Sequence, residues 1–165
     1  MKYKDDEIII EGIVMIETPY RKQKAHNTIL YPYLNVLAAI NSGGGGAYAY
    51  KAPFNQFILG TDTTTPTVAT TTGLTSPLNS TTVNPSVIIS SVTNSWYIQY
   101  SYIYNGSYFP SPVTIGEIAI LGIYNSSNVN GFTRLAVADG TFTAVSVNSS
   151  TPLSIQWNVY FEFGA

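Results

Sequence analysis

The sequence predicts an all-β protein, an antiparallel β-sandwich of jelly-roll or immunoglobulin-like type with one short helix near residues 32–41. Three observations predict it. The run "SWYIQYSYIY" alternates so that Trp96, Ile98, Tyr100, Tyr102 and Tyr104 share one face, the period of two that a strand requires. The first third opens on a β-branched run, "EIIIEGIVMIET". The last third is a succession of apolar segments broken by turn signals roughly every 8–12 residues, the spacing of sandwiches and barrels.

Taken in order, Glu7–Thr18 reads as a strand bent at Gly12, and Pro19–Asn27 as the turn after it. "YPYLNVLAAINSGGGG" carries the helix. Pro32 suits a first turn, Leu34, Leu37, Ala38 and Asn41 fall near one face, and Asn41 with Gly43 gives the stop. Phe54–Thr61 reads as a second strand. The 24 residues from Asp62 to Pro85, rich in Thr, Ser, Pro and Asn, read as a surface excursion of loop or short edge strands. After the aromatic strand come Val113–Tyr124, the loop "NSSNVNG", Phe132–Ala138, a turn at Asp139-Gly140, Thr141–Val147, the turn "NSSTP", and Leu153–Phe163. The charged arm 1–24 belongs to the same domain as the sandwich body 25–165.

At 165 residues the chain can bury a sizeable core. Only 10% of its residues are charged, against roughly 25% in an average soluble domain. Ten of the sixteen charges fall in the first 24 positions. A net charge of −2 and a pI near 5.2 offer no basic surface for nucleic acid. No run reaches the roughly 18 apolar residues of a membrane helix, so no membrane insertion is expected. The acidic "MKYKDDE" start is unlike a secretory signal. An outward-facing composition without an export signal fits a protein that leaves the cell inside a virion.

Catalytic chemistry finds little to stand on. The chain has no cysteine and a single histidine, His26, with no nucleophile elbow. Imidazole and thiolate ligands for a transition metal are lacking. Asp62 and Asp139 could offer oxygens to calcium, but no Asp-x-Asp-x-Asp loop is present. The four carboxylates Asp62, Glu117, Asp139 and Glu162 show no spacing that signals glycoside hydrolysis. The expectation is no catalytic residue, no metal and no cofactor. Sequons at Asn79, Asn105, Asn125 and Asn148 permit glycosylation without arguing for it.

Two constellations remain. Trp96, Tyr100, Tyr102, Tyr104 and Tyr108 read first as a core face or subunit interface, with a platform for sugar rings as the alternative. The face between them, with Tyr97 and Ile103, is not strongly polar either, which favours an oligomer. Glu117 is a lone carboxylate in "VTIGEIAILGIYNSS". With Tyr124 placed opposite Phe132, Arg134 falls opposite Gly122, about 17 Å along the strand from Glu117, and Asp139 falls opposite Glu117. No ion pair is then in reach, and the carboxylate must accept hydrogen bonds to offset its desolvation. The donors are sought in backbone N–H groups or Thr hydroxyls of "GTDTTT", or in His26, giving a structural latch of Glu117, Thr61, Asp62 and His26.

The order of features resembles a family of tail-associated or appendage-type virion structural proteins of double-stranded DNA viruses of bacteria and archaea. The matching pieces are Gly60, Thr61 and Leu74 of the Thr-rich loop; Ile115, Glu117 and Gly122 of the Glu-bearing strand; and Leu153, Ile155 and Trp157 of the C-terminal strand. The resemblance spans most of residues 25–165. It implies a virion surface, turret or tail-fibre component without enzyme activity, partnered by copies of itself and by other virion proteins. The alternatives are a monomeric carbohydrate-binding sandwich facing a host-surface glycan, and a pilus-like adhesin that donates its arm 1–18 as a strand.

Overall fold

The structure is a computed structural model and describes residues 8–26, 28–29, 56–64, 74–92, 95–124, 127–135 and 143–163. Two five-stranded antiparallel sheets pack face to face, as the alternation predicts. The first contains β1 (Ile8–Thr18), β2 (Arg21–His26), β6 (Ser86–Val92), β7 (Ser95–Tyr104) and β12 (Leu153–Phe163), in the order β2-β1-β12-β7-β6. The second contains β3 (Thr28–Ile29), β4 (Gln56–Gly60), β5 (Pro77–Val83), β9 (Glu117–Tyr124) and β10 (Ser127–Leu135), in the order β3-β10-β9-β4-β5. A separate two-stranded ribbon of β8 (Val113–Ile115) and β11 (Val145–Val147) adds Ile115, Val145 and Val147 to the core.

Alternation decides what each strand buries. In β12 the residues Leu153, Ile155, Trp157 and Val159 point inward, and Ser154, Gln156, Asn158 and Tyr160 lie on the outer face. Val14 and Ile16 of β1 and Tyr100 and Tyr104 of β7 extend this inner face, and Phe57, Leu59, Ile118 and Ile120 oppose it from the second sheet. Trp157 sits at the middle with its ring 6.3 Å from that of Phe57. Each such side chain contributes about 1.5–3 kcal/mol by leaving water.

The centre of the second sheet is buried on its other face too. Ile58, Ala119 and Leu121 form a second cluster there, with Leu74 packed against it.

Some expectations fall outside the described residues, and others need correction. The helix at 32–41 lies outside the described residues, as does the turn at Asp139-Gly140; the helical element among the described residues is a single 3-10 turn, Gly106–Tyr108. The turn after β1 is only Pro19-Tyr20, because Arg21–His26 forms β2 against β1. Val113–Tyr124 is not one strand. It breaks at Gly116, and its halves join different sheets.

The β9–β10 register is also different. Asparagine-rich "NSSNVNG" reads as a loop, yet β10 already begins at Ser127, opposite Tyr124. A bulge between Asn130 and Phe132 then shifts the ladder, so Arg134 faces Ile118 and Leu135 faces Glu117. No like charge opposes Glu117 across that ladder. Finally, the aromatic strand is one arm of a hairpin whose other arm is β6, with Ser91 opposite Trp96 and Val87 opposite Tyr100.

Candidate functional site: a buried carboxylate anchor

Glu117 opens β9, and its register partner on β4 is Gly60, the last residue of that strand. The side chain has 0% exposure. Its Oε1 accepts from the backbone N–H of Asp62 at 3.1 Å and of Ser76 at 2.8 Å, and its Oε2 accepts from the N–H of Thr75 at 2.7 Å. Backbone donors aimed at a carboxylate are charge-assisted hydrogen bonds, stronger than neutral ones.

Two glycines make the site possible. A Cβ on Gly60 would lie 2.6 Å from Glu117 Oε1, so only glycine leaves room for the carboxylate. A Cβ on Gly116 would collide with the backbone oxygen of Asp62, and without one the Gly116 N–H reaches the Gly60 carbonyl at 3.0 Å. Thr61 takes part through its backbone, its N–H donating to the Ser76 carbonyl at 3.0 Å. Asp62 faces outward and accepts from the Thr64 hydroxyl. That hydrogen bond, helped by the Thr63 and Thr64 backbone and the Thr75 hydroxyl, holds its carboxyl below the usual range against partial desolvation.

Both ends of the Thr-rich segment, at Asp62 and at Thr75-Ser76, are therefore tied to one carboxylate. The tie sets Leu74 over the outer cluster of Ile58, Ala119 and Leu121. With three acceptor bonds taken by backbone and no exposed surface, Glu117 is arranged to hold a segment in place.

His26 is not brought to this site. It ends β2 in the other sheet, where its Nδ1 lies 2.8 Å from Glu11 Oε1 at the surface. Thr75 and Ser76 are the donors that sequence reasoning missed, since a backbone N–H leaves no mark on residue type.

The aromatic group does not form one platform of five exposed rings, because the strand turns its stripe inward between the sheets. Tyr100 and Tyr104 are buried in the core. Burial pushes the Tyr100 phenol up to about 12, and the Tyr104 phenol rises through burial and then through its neighbours Tyr102 and Tyr108. Tyr102 and Tyr108 are half-buried, their hydroxyls 2.8 Å apart, and that bond raises Tyr102. Trp96 is 52% exposed.

A second buried polar network was not foreseen. Thr81 is buried, donates to the Leu78 carbonyl at 2.6 Å and accepts from the Leu59 N–H at 3.0 Å, bridging the irregularity between β4 and β5. The Tyr104 hydroxyl donates to the Thr81 carbonyl at 2.9 Å.

Two sequon asparagines have turn roles. Asn105 Oδ1 accepts from the Ser107 N–H at 3.0 Å, and Asn148 Oδ1 from the Ser150 N–H at 2.8 Å. Among the described residues no group of three or more His, Asp or Glu side chains could hold a metal ion, and no helix is long and apolar enough to cross a membrane.

Fold and site together define a two-sheet antiparallel β-sandwich with an anchored surface segment. No protein-family model, curated protein or solved structure matches the chain.

Proposed function

We propose that the protein is a virion structural component, of surface, turret or tail-fibre type, that assembles with copies of itself through β surfaces. The observation that carries the reading is an apolar patch left in water at one margin of the first sheet. Val87, Ile88 and Ile89 of β6 and Trp96 of β7 are all exposed, in a stretch with no charge between Asp62 and Glu117. Exposed apolar surface of this kind marks a contact site. The charge-poor, cysteine-free composition and the resemblance to appendage proteins support placing it on a particle assembled in the host cytoplasm and then released. Size-exclusion chromatography with light scattering over a concentration series tests the reading. A defined oligomer supports it, and a monomer at every concentration removes it.

A second reading, a carbohydrate-binding module, is favoured by one observation on the outer face of the first sheet. There Gln99 Nε2 donates to Asn158 Oδ1 at 3.2 Å, Asn158 Nδ2 donates to Tyr160 OH at 3.1 Å, and the Tyr160 ring lies 5.6 Å from that of Tyr97. Amides beside aromatic rings suit sugar hydroxyls and C–H faces. Glycan binding lost in Tyr97→Ala with the fold intact would support this reading over assembly. Strand donation by the N-terminal arm has less support, since β1 is already paired on both sides, with β2 and β12.

A further inference from the structure

Among the described residues the margin strand β6 pairs on one side only, with β7, and no described strand takes up the backbone N–H and C=O groups of its other side. Edges are normally protected by charge, and the opposite edge of this sheet is so protected: β2 carries Arg21, Lys22 and Lys24. β6, "SVIISSV", has no charge and no proline. Val87, Ile88 and Ile89 are exposed on both faces, since Ile89 and Val87 share the inner face of Ile98 and Tyr100 while Ile88 lies on the outer one.

Resting on the self-assembly reading, we infer that the occupant of this edge is the β6 strand of a second copy, paired antiparallel about a two-fold axis through Ile89. Three features select this partner and register. Ile89 is the midpoint of the seven-residue strand, so only this register pairs β6 along its whole length. It sets each larger residue against a serine: Val87 against Ser91, Ile88 against Ser90, and Val92 against Ser86. It also keeps inner faces on one side, so the two Ile89 side chains, each 68% exposed alone, meet beside Ile98 and the partly exposed Trp96. An uncharged strand meets no like charge in its own copy, whereas the basic β2 edge disfavours the head-to-tail pairing that would build an open fibre. The product is a continuous ten-stranded sheet across two chains.

The absence of cysteine gives a clean test. Directly opposed residues of an antiparallel pair lie about 4.5–5.5 Å apart at Cα, within disulfide reach. Ile89→Cys is compared with Ile103→Cys, an equally exposed site (66%) on the outer face of β7, each under mild oxidation in the full chain. The expected result is a disulfide-linked dimer for Ile89→Cys, formed at least about tenfold faster than for Ile103→Cys, because pairing raises the effective thiol concentration. Ile89→Lys is expected to give a folded monomer, since it sets two ammonium groups against each other. A wild-type oligomer with equal cross-linking of the two cysteines, or one that survives Ile89→Lys, overturns this interface and leaves assembly through another surface standing. A wild-type monomer overturns both.

Discussion

Gly60 and Glu117 are cross-strand partners that fit only because residue 60 has no side chain: a methyl group there would stand 2.6 Å from the carboxylate oxygen. The nearest backbone, the Ser76 carbonyl, also crowds that position at 2.8 Å. The pair is the point at which a buried charge, a strand end and a surface segment are mutually dependent.

Glu117→Gln leaves one carbonyl oxygen to accept and turns an NH2 toward backbone N–H donors. The substitution is expected to destabilise by about 2–4 kcal/mol, with Glu117→Ala at or above the upper end, because up to three charge-assisted hydrogen bonds to a buried acceptor are lost. Gly60→Ala is expected to cost about 1–3 kcal/mol through the steric conflict alone. Denaturant midpoints check all three. Hydrogen exchange at the Asp62, Thr75 and Ser76 amides should speed up in parallel, since those are the bonds that the variants break.

Thr81→Val keeps the shape of the side chain and removes the hydroxyl. The Leu59 N–H then has no acceptor inside the sandwich, and a loss of about 1–3 kcal/mol is expected in thermal or urea unfolding. Thr82→Val, at the exposed neighbouring position, is expected to change stability by less than about 0.5 kcal/mol.

The buried phenols set an alkaline limit. Burial raises Tyr100 and Tyr104 in the folded chain, so folding favours the protonated form. That stabilisation is fully present below pH 10, the ordinary tyrosine value, and is lost as pH rises through the folded value of about 12 for Tyr100. Over that window Tyr100 alone accounts for about 2–3 kcal/mol. Tyrosinate absorbance should therefore rise in two stages, exposed tyrosines first and the last ones together with loss of the β spectrum.

The two tryptophans should respond separately. Trp157 is sealed in the core and Trp96 stands in water, so Trp96→Phe is expected to leave a blue-shifted emission that iodide does not quench until the protein unfolds. In the wild-type chain quenching should weaken as concentration rises and β6 edges pair.

What the sequence revealed follows from which groups do the work. Where side chains set the pattern, as in Leu153–Val159 or Tyr100–Tyr104, alternation marked the inner face directly. Glu117 stood out because a charge in an apolar run demands partners. Those partners, Asp62, Thr75 and Ser76, act through backbone N–H groups, which any residue type supplies. The asparagines between Ser127 and Asn130 form strand hydrogen bonds despite composition that favours a turn, and because Ser127 rather than Phe132 pairs with Tyr124, Arg134 faces Ile118 instead of Gly122. Thr81 was hidden among many similar threonines that face solvent.

The pairing of β1 with β12 joins Ile8 to Phe163 in the middle of the first sheet. During synthesis, the strand made early has no neighbour on that side until the one made late leaves the ribosome. Loop closure over such a separation is slow, and the sheet's centre must complete last. Until then β1 is an unpaired apolar strand among ten charged residues, five of each sign, and charges placed in and beside such a strand oppose its burial against another copy.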